Sequence, residues 1–235
     1  MKIKGSIALV TGANRGLGLA YAKALLAAGA RKVYAGARDP SSVTLAGVVP
    51  VKLDVTNADD LAAAVATCGD VDLVINNAGI IGSDDLLSST GVEALQTVLE
   101  TNLYGVLAVS RAFAPVLRAN GGGALVNMLS ALSWASLPNT GAYSVSKAAA
   151  WSLTNGLRNE LREQGTLVVG VHAGYIDTDM VKDVDSPKSR PEDIAQAVLA
   201  GIEAGDQEVL ADDTARHIKA GFSQPQALYL GARSA

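Results

Sequence analysis

The chain has 235 residues, 49% of them hydrophobic, and a formal net charge of -4, enough apolar material to bury one large core in a single unit. The negative balance, with no basic cluster, excludes the electrostatic grip on phosphates that nucleic-acid or anionic-membrane binding needs, and no apolar run approaches the roughly 20 residues that span a bilayer. The amino terminus runs into a strand without a charged segment, an apolar segment and a cleavage site, so the expectation is a soluble, cytoplasmic protein acting on a small molecule, with no nucleic-acid or membrane partner.

In chain order, residues 6–10 read as a buried strand and residues 16–28 as a helix. Between them lies Thr11-Gly12-Ala13-Asn14-Arg15-Gly16-Leu17-Gly18. Glycines allow a sharp turn and a close backbone approach to a pyrophosphate, and the free amides of the following helix form a positive dipole end. The spacing departs from G-x-G-x-x-G, so the alternative is a tight connection only. On the nucleotide reading, Gly12, Asn14, Arg15, Gly16, Leu17 and Gly18 are the binding candidates.

A second strand covers residues 32–36. Just after it, where a site for the non-phosphorylated dinucleotide carries an acid for the ribose 2'-hydroxyl, the chain has Ala37 and Arg38. A guanidinium can take a 2'-phosphate with two hydrogen bonds, while a carboxylate would repel it. Arg38, with Arg15 as a second cation, therefore points to NADP(H). The alternative leaves both arginines merely solvated, and Asp39 is placed to compete for Arg38.

Residues 39–47 are too few for a full crossover helix, so the second connection is expected to be abbreviated. Strands follow at residues 48–53 and 72–75, separated by a helix at 58–67. That helix leads to Cys68, the single cysteine, which reads as a packing residue and rules out an internal disulfide. A long helical pattern spans residues 92–119, then comes a strand at 124–129, a helix from 141 to about 163, a strand at 167–171, a helix at 191–204 and a last strand at 208–210. Strands alternating with helices imply an α/β fold, a doubly wound parallel sheet of about seven strands with helices on both faces. His172 and His217 lack ligand spacing, so no metal is expected.

Ser130 follows the fifth strand, where open α/β sheets place their ligands, although a serine there also suits a plain turn. Tyr143 and Lys147 stand four residues apart on a helix and share a face. A nearby ammonium favours the phenolate and lowers a tyrosine pKa from its usual value near ~10. The pair is either a proton-transfer device or two neighbours on a solvated face.

Taken together, these segments resemble the classical short-chain dehydrogenase/reductase family from residue 7 to about residue 180. The likeness rests on the turn from Thr11 to Gly18, Asp54 after the third strand, Asn76-Asn77-Ala78-Gly79 after the fourth, Asn102, Ser130 and the Tyr143/Lys147 pair. It implies a single Rossmann-type domain over residues 1–235, nucleotide-binding to about 120 and catalytic beyond. By the same resemblance, Asp54 and Val55 border the adenine, Asn77, Ala78 and Gly79 line the cofactor, and Ile176 and Thr178 hold the nicotinamide amide. It further implies that Lys147 binds the nicotinamide ribose and depresses the Tyr143 pKa, that Ser130 orients a carbonyl, and that Asn102 holds a proton-relay water. A homodimer through the long helices is also implied.

The expected activity is NADPH-dependent reduction of a ketone or aldehyde, with Tyr143 as general acid. The alternatives are an alcohol or hydroxysteroid dehydrogenase working oxidatively and a non-catalytic dinucleotide sensor. Leu132, Trp134, Leu137, Tyr175, Met180 and Val181 surround the expected carbonyl position, which favours apolar or aromatic substrates, unless Trp134 and Met180 only pack. Two departures from the family pattern stand out. Ala173-Gly174 replaces the common Pro-Gly pair, which predicts a more mobile loop, and residues 178–191 are short for a lid, which predicts an open pocket.

Overall fold

In the computed structural model, which describes residues 1–82 and 85–230, seven strands form one parallel sheet. They are β1 (Ile7–Thr11), β2 (Lys32–Ala37), β3 (Val49–Lys52), β4 (Leu73–Asn76), β5 (Ala124–Met128), β6 (Leu167–His172) and β7 (Glu208–Leu210). Their order is β3-β2-β1-β4-β5-β6-β7. Strand side chains alternate between faces, so Ile7 and Leu9 join Val74, Leu125 and Val168 in one core. Ala8 and Val10 join Ile75, Val126 and Val169 in the other. Burial on both faces explains why these strands read as nearly continuous apolar runs.

The helices are α1 (Gly16–Ala27), α2 (Ala58–Thr67), α3 (Gly91–Leu99), α4 (Val106–Ala119), α5 (Gly141–Glu160), α6 (Pro191–Ala204) and α7 (Asp213–Ala220). Leu25 of α1 and Ile194, Val198 and Ile202 of α6 close one core, while Leu61 of α2, Val109, Phe113 and Leu117 of α4 and Leu157 of α5 close the other. Local chemistry sets the ends. The Asn57 side chain caps α2 by accepting from the amides of Asp59 and Asp60. Pro191, Glu192 and Asp193 open α6, and Gly205, at φ 84°, stops it.

The expected doubly wound sheet is the observed one, with strand ends shifted by a residue or so. The second connection is abbreviated as expected, to one 3-10 turn at Pro40–Ser42. Three features differ. The run 92–119 is not one uniform helix, because a π-helical segment at Glu100–Gly105 separates α3 from α4 and carries Asn102. The helix carrying Tyr143 ends at Glu160. The chain after β7 forms α7, capped by Asp212, where no helix was expected.

Both sheet edges are short. β3 contains Pro50, a residue that strands tolerate at an edge, and β7 has three residues. Among the described residues no helix is long and apolar enough to cross a membrane, and no group of three or more His, Cys, Asp or Glu could hold a metal ion. Because β1 lies between β2 and β4, successive crossovers leave it in opposite directions, and a crevice opens at the carboxyl ends of these strands.

Candidate active site

That crevice is a cavity of about 950 Å³. Its nucleotide end is built from backbone. Gly12 has φ +66°, and a Cβ on Gly18 would lie 2.0 Å from the Gly12 carbonyl oxygen and 2.7 Å from Asn77 Nδ2, so only glycine fits at either place. Thr11 Oγ1 accepts from the amides of Asn77 and Ala78, at 2.9 Å each, and Asn77 Nδ2 returns a bond to the Thr11 carbonyl at 2.9 Å. The turn after β1 and the loop after β4 are thereby locked together. No side chain caps α1, so its first amides are free to receive an anion. The glycine cradle and the cavity size fit a dinucleotide.

Gly12, Asn14, Arg15, Gly16, Leu17, Gly18, Arg38, Asp54, Val55, Asn77, Ala78, Gly79, Ile176 and Thr178 all line this cavity, with Ser130, Tyr143 and Lys147. The expected competition for Arg38 is absent. Asp39 instead accepts from the Ser41 amide (2.9 Å) and hydroxyl (2.7 Å), bonds that hold its pKa below the usual carboxylate value. Arg38 is exposed and makes no hydrogen bond or ion pair among the described residues. Arg15, by contrast, pairs with Asp179 at 2.9 Å across the cleft rim, both side chains well exposed. Thr178, Asp179, Met180 and Val181 line the same cavity. Asp54 Oδ1 accepts from the Thr56 amide and hydroxyl at 3.0 and 2.7 Å, which fixes the turn beside Val55.

At the other end, Ser130 and Tyr143 share the cavity wall, near enough for the Ser130 hydroxyl to act on the phenol. Ser130 is held by its own surroundings: its Oγ accepts from the Leu132 amide at 3.0 Å, and its amide donates to Ser133 Oγ at 3.2 Å. Lys147 is buried, donates to the Met128 carbonyl at 2.8 Å and places Nζ 5.6 Å from the Tyr143 ring centre. Burial pushes the Tyr143 phenol up to about 12, partly offset by the neighbouring Ser130 hydroxyl. Burial brings Lys147 down to about 8. The direction at Tyr143 is thus opposite to the expected one, because desolvation dominates.

Asn102 does not line the cavity. Its side chain is fully buried, with Oδ1 accepting from the Ile80 amide at 2.9 Å and Nδ2 donating to the Ile80 carbonyl (2.9 Å) and Ser146 Oγ (3.0 Å). With both polar atoms bonded to protein, the side chain braces the wall. Its place in a π-helical segment accords with the frequency of such segments at functional sites.

Leu132, Leu137, Tyr175, Met180 and Val181 line the substrate end, but Trp134 does not. Trp134 stacks on His172 at 3.7 Å between ring centres and meets Trp151 and Phe222 edge-on. Of the two readings offered for it, packing is the one the structure shows. His172 is fully buried, its Nδ1 2.9 Å from the Ser130 carbonyl oxygen, and desolvation brings its pKa to about 4. It is neutral at physiological pH.

The Ala173-Gly174 loop is held by hydrogen bonds along its length. The Gly174 amide donates to Asp212 Oδ2 at 2.7 Å, the Ser189 amide to the Tyr175 carbonyl at 2.8 Å, and the Asp177 amide to the Ser189 carbonyl at 2.9 Å. Thr11, Asp212 and two further wall residues, Thr214 and Ile218 of α7, were not singled out in the sequence. Asp212-Asp213-Thr214-Ala215 was the available sign, an acid able to cap a short helix.

Residues 6–189 match the family model for short chain dehydrogenases. An uncharacterized oxidoreductase from Staphylococcus haemolyticus is 33% identical over 211 residues, covering 84% of this chain and 91% of that protein. A 3-oxoacyl-[acyl-carrier-protein] reductase from Synechocystis is 32% identical over 197 residues, covering 78% and 79%. Among solved structures, a short chain dehydrogenase from Burkholderia cenocepacia in complex with NADP superimposes with a TM-score of 0.92 at 41% identity, covering 96% of this chain and 95% of that one.

Proposed function

The chain belongs to the short chain dehydrogenase family, and from that premise we propose that this oxidoreductase reduces apolar or aromatic ketones and aldehydes to alcohols with NADPH. The observation that carries the proposal is the meeting of Ser130, Tyr143 and Lys147 on the wall of the cavity whose far end is the glycine cradle. NADPH, when bound, supplies a hydride to the carbonyl carbon.

The chain's own groups do the rest. The turn at Gly12, Asn14, Gly16, Leu17 and Gly18 holds the pyrophosphate through backbone amides. Asp54 and Val55 flank the adenine, and Asn77, Ala78 and Gly79 support the middle of the cofactor. Arg38 takes the 2'-phosphate, with Arg15 joining once it leaves Asp179. Ile176 and Thr178 hold the nicotinamide amide, and Lys147 the adjoining ribose. Residues 1–120 thus serve the nucleotide and the remainder the chemistry.

Ser130 donates a hydrogen bond to the substrate oxygen. Tyr143 delivers a proton to that oxygen as negative charge develops there. A phenol pushed up to about 12 stays protonated at neutral pH, which suits reduction; oxidation needs the phenolate and is favoured only in alkali. Lys147, brought down to about 8, titrates close enough to neutrality to return a proton to Tyr143. Asn102 keeps the wall beside Ser146 and Ile80 in place. At the substrate end Leu132, Leu137, Met180, Val181 and Ile218 present hydrocarbon, which supports an uncharged substrate. Val92 and Val145 are exposed on the long helices and support association as a homodimer in the cytoplasm.

The test is a panel of aliphatic ketones, aryl ketones, diketones, aldehydes and steroids with NADPH, followed by loss of reduced-nicotinamide absorbance. Turnover of apolar or aryl carbonyls is expected. Tight NADPH binding with no turnover of any member would replace the reductase with a non-catalytic sensor.

A further inference from the structure

Asp212 lies between β7 and α7, 7% exposed, and its two carboxylate oxygens do different things. Oδ1 accepts from the Ala215 amide at 2.9 Å and caps α7. Oδ2 accepts from the Gly174 amide at 2.7 Å and from Ser189 Oγ at 3.1 Å. Gly174 and Ser189 are the two ends of one small ladder. Ser189 bonds Tyr175 and Asp177 through its backbone, forming a parallel bridge opposite Ile176. The start of α7 also presses on this loop: a Cβ on Gly174 would lie 2.8 Å from the Thr214 Cβ.

We infer that Asp212 is a positioning residue for nicotinamide binding, clamping residues 174–178 from outside the cofactor site. The inference rests on the reading of Ile176 and Thr178 as nicotinamide contacts. With Ala173 in the chain, no proline ring fixes φ ahead of Gly174, and the carboxylate supplies the missing constraint. Hydrogen bonds to an ionised acceptor are about twice as strong as neutral ones, and one oxygen gathers both strands of the ladder. Misplacing a reacting group by about 1 Å can cost on the order of 100-fold in rate, so a clamp outside the site still sets the geometry within it.

Asp212→Asn and Asp212→Ser test this. Each keeps an oxygen able to cap α7 and loses the acceptor for the Gly174 amide. In both, the Kd and KM for NADPH should rise about 10-fold, and the primary isotope effect with 4-deuterated NADPH should change, with the melting temperature within a few degrees of wild type. Folded variants with the wild-type Kd for NADPH overturn the clamp. Should neither variant fold, Ser189→Ala decides, since it removes one loop bond and leaves the cap: NADPH Kd rises at least about 2-fold, or the clamp is wrong. Kd keeps the two readings apart, because a wild type without turnover sinks the reductase while an unchanged Kd in the variants sinks the clamp.

Discussion

The two ends of the cleft are made of different material. The nucleotide end is backbone: Gly12 and Gly18 pressed together, with Thr11 and Asn77 stitching one turn to the next. The substrate end is side chain, brought from β5, α5, the loop after β6 and α7. Backbone sites are defined by what cannot be added to them, and side-chain sites by what cannot be removed. Damage to the first should appear as lost binding, and damage to the second as lost chemistry.

The comparison breaks most sharply at Tyr143. Tyr143→Phe should lower kcat by about 10² to 10⁴ with NADPH Kd unchanged, measured by steady-state kinetics and fluorescence titration. A parallel loss of binding would mean the two ends are not separable. At the backbone end, Gly18→Ala puts a methyl into the Gly12 carbonyl and should weaken kcat/KM for NADPH on the order of 100-fold. Arg38→Asp should shift the NADPH/NADH preference by about 10- to 100-fold toward NADH, the worth of one or two charge-assisted bonds; an unchanged ratio would remove Arg38 from the site.

Smaller effects sharpen the boundary. Lys147, at about 8 in the free protein, loses its charge above that pH, so kcat/KM for NADPH should fall there, and Lys147→Arg should remove the inflection. For stability the sign is opposite. Between about 8 and its unfolded value of 10.5 the unfolded chain holds more protons at this lysine, so its contribution to stability rises with pH. Tyr143, raised from 10.0 to about 12, is more protonated when folded, and its contribution falls over that range. Trp134→Ala should cost about 3 to 5 kcal/mol of stability, seen in denaturant melts, while leaving the ranking of substrates unaltered.

The backbone end was legible because its residues are consecutive: Thr11 to Gly18 is one stretch, and a glycine turn between strand and helix has few purposes. The place of Arg38 on the same cavity wall was legible from its distance from that turn. The substrate end was harder to read. Trp134 sits four residues past Ser130, and no pattern in the chain says whether it faces the pocket or His172. Asn102 lies in an unbroken helical pattern, so the π-helical segment leaves no mark in periodicity. The Tyr143 and Lys147 spacing predicted their shared face, but the direction of the Tyr143 pKa depends on burial, which is a property of the folded surroundings. Asp212 acts on a loop 38 residues earlier in sequence, a relation only folding creates.

Cys68 ends α2 with no exposed surface, and burial drives its thiol up to about 12. Many carbonyl compounds, enones and quinones among them, are themselves electrophiles that alkylate thiolates. A protein whose single sulfhydryl is shut away and un-ionised offers such electrophiles no thiolate to alkylate.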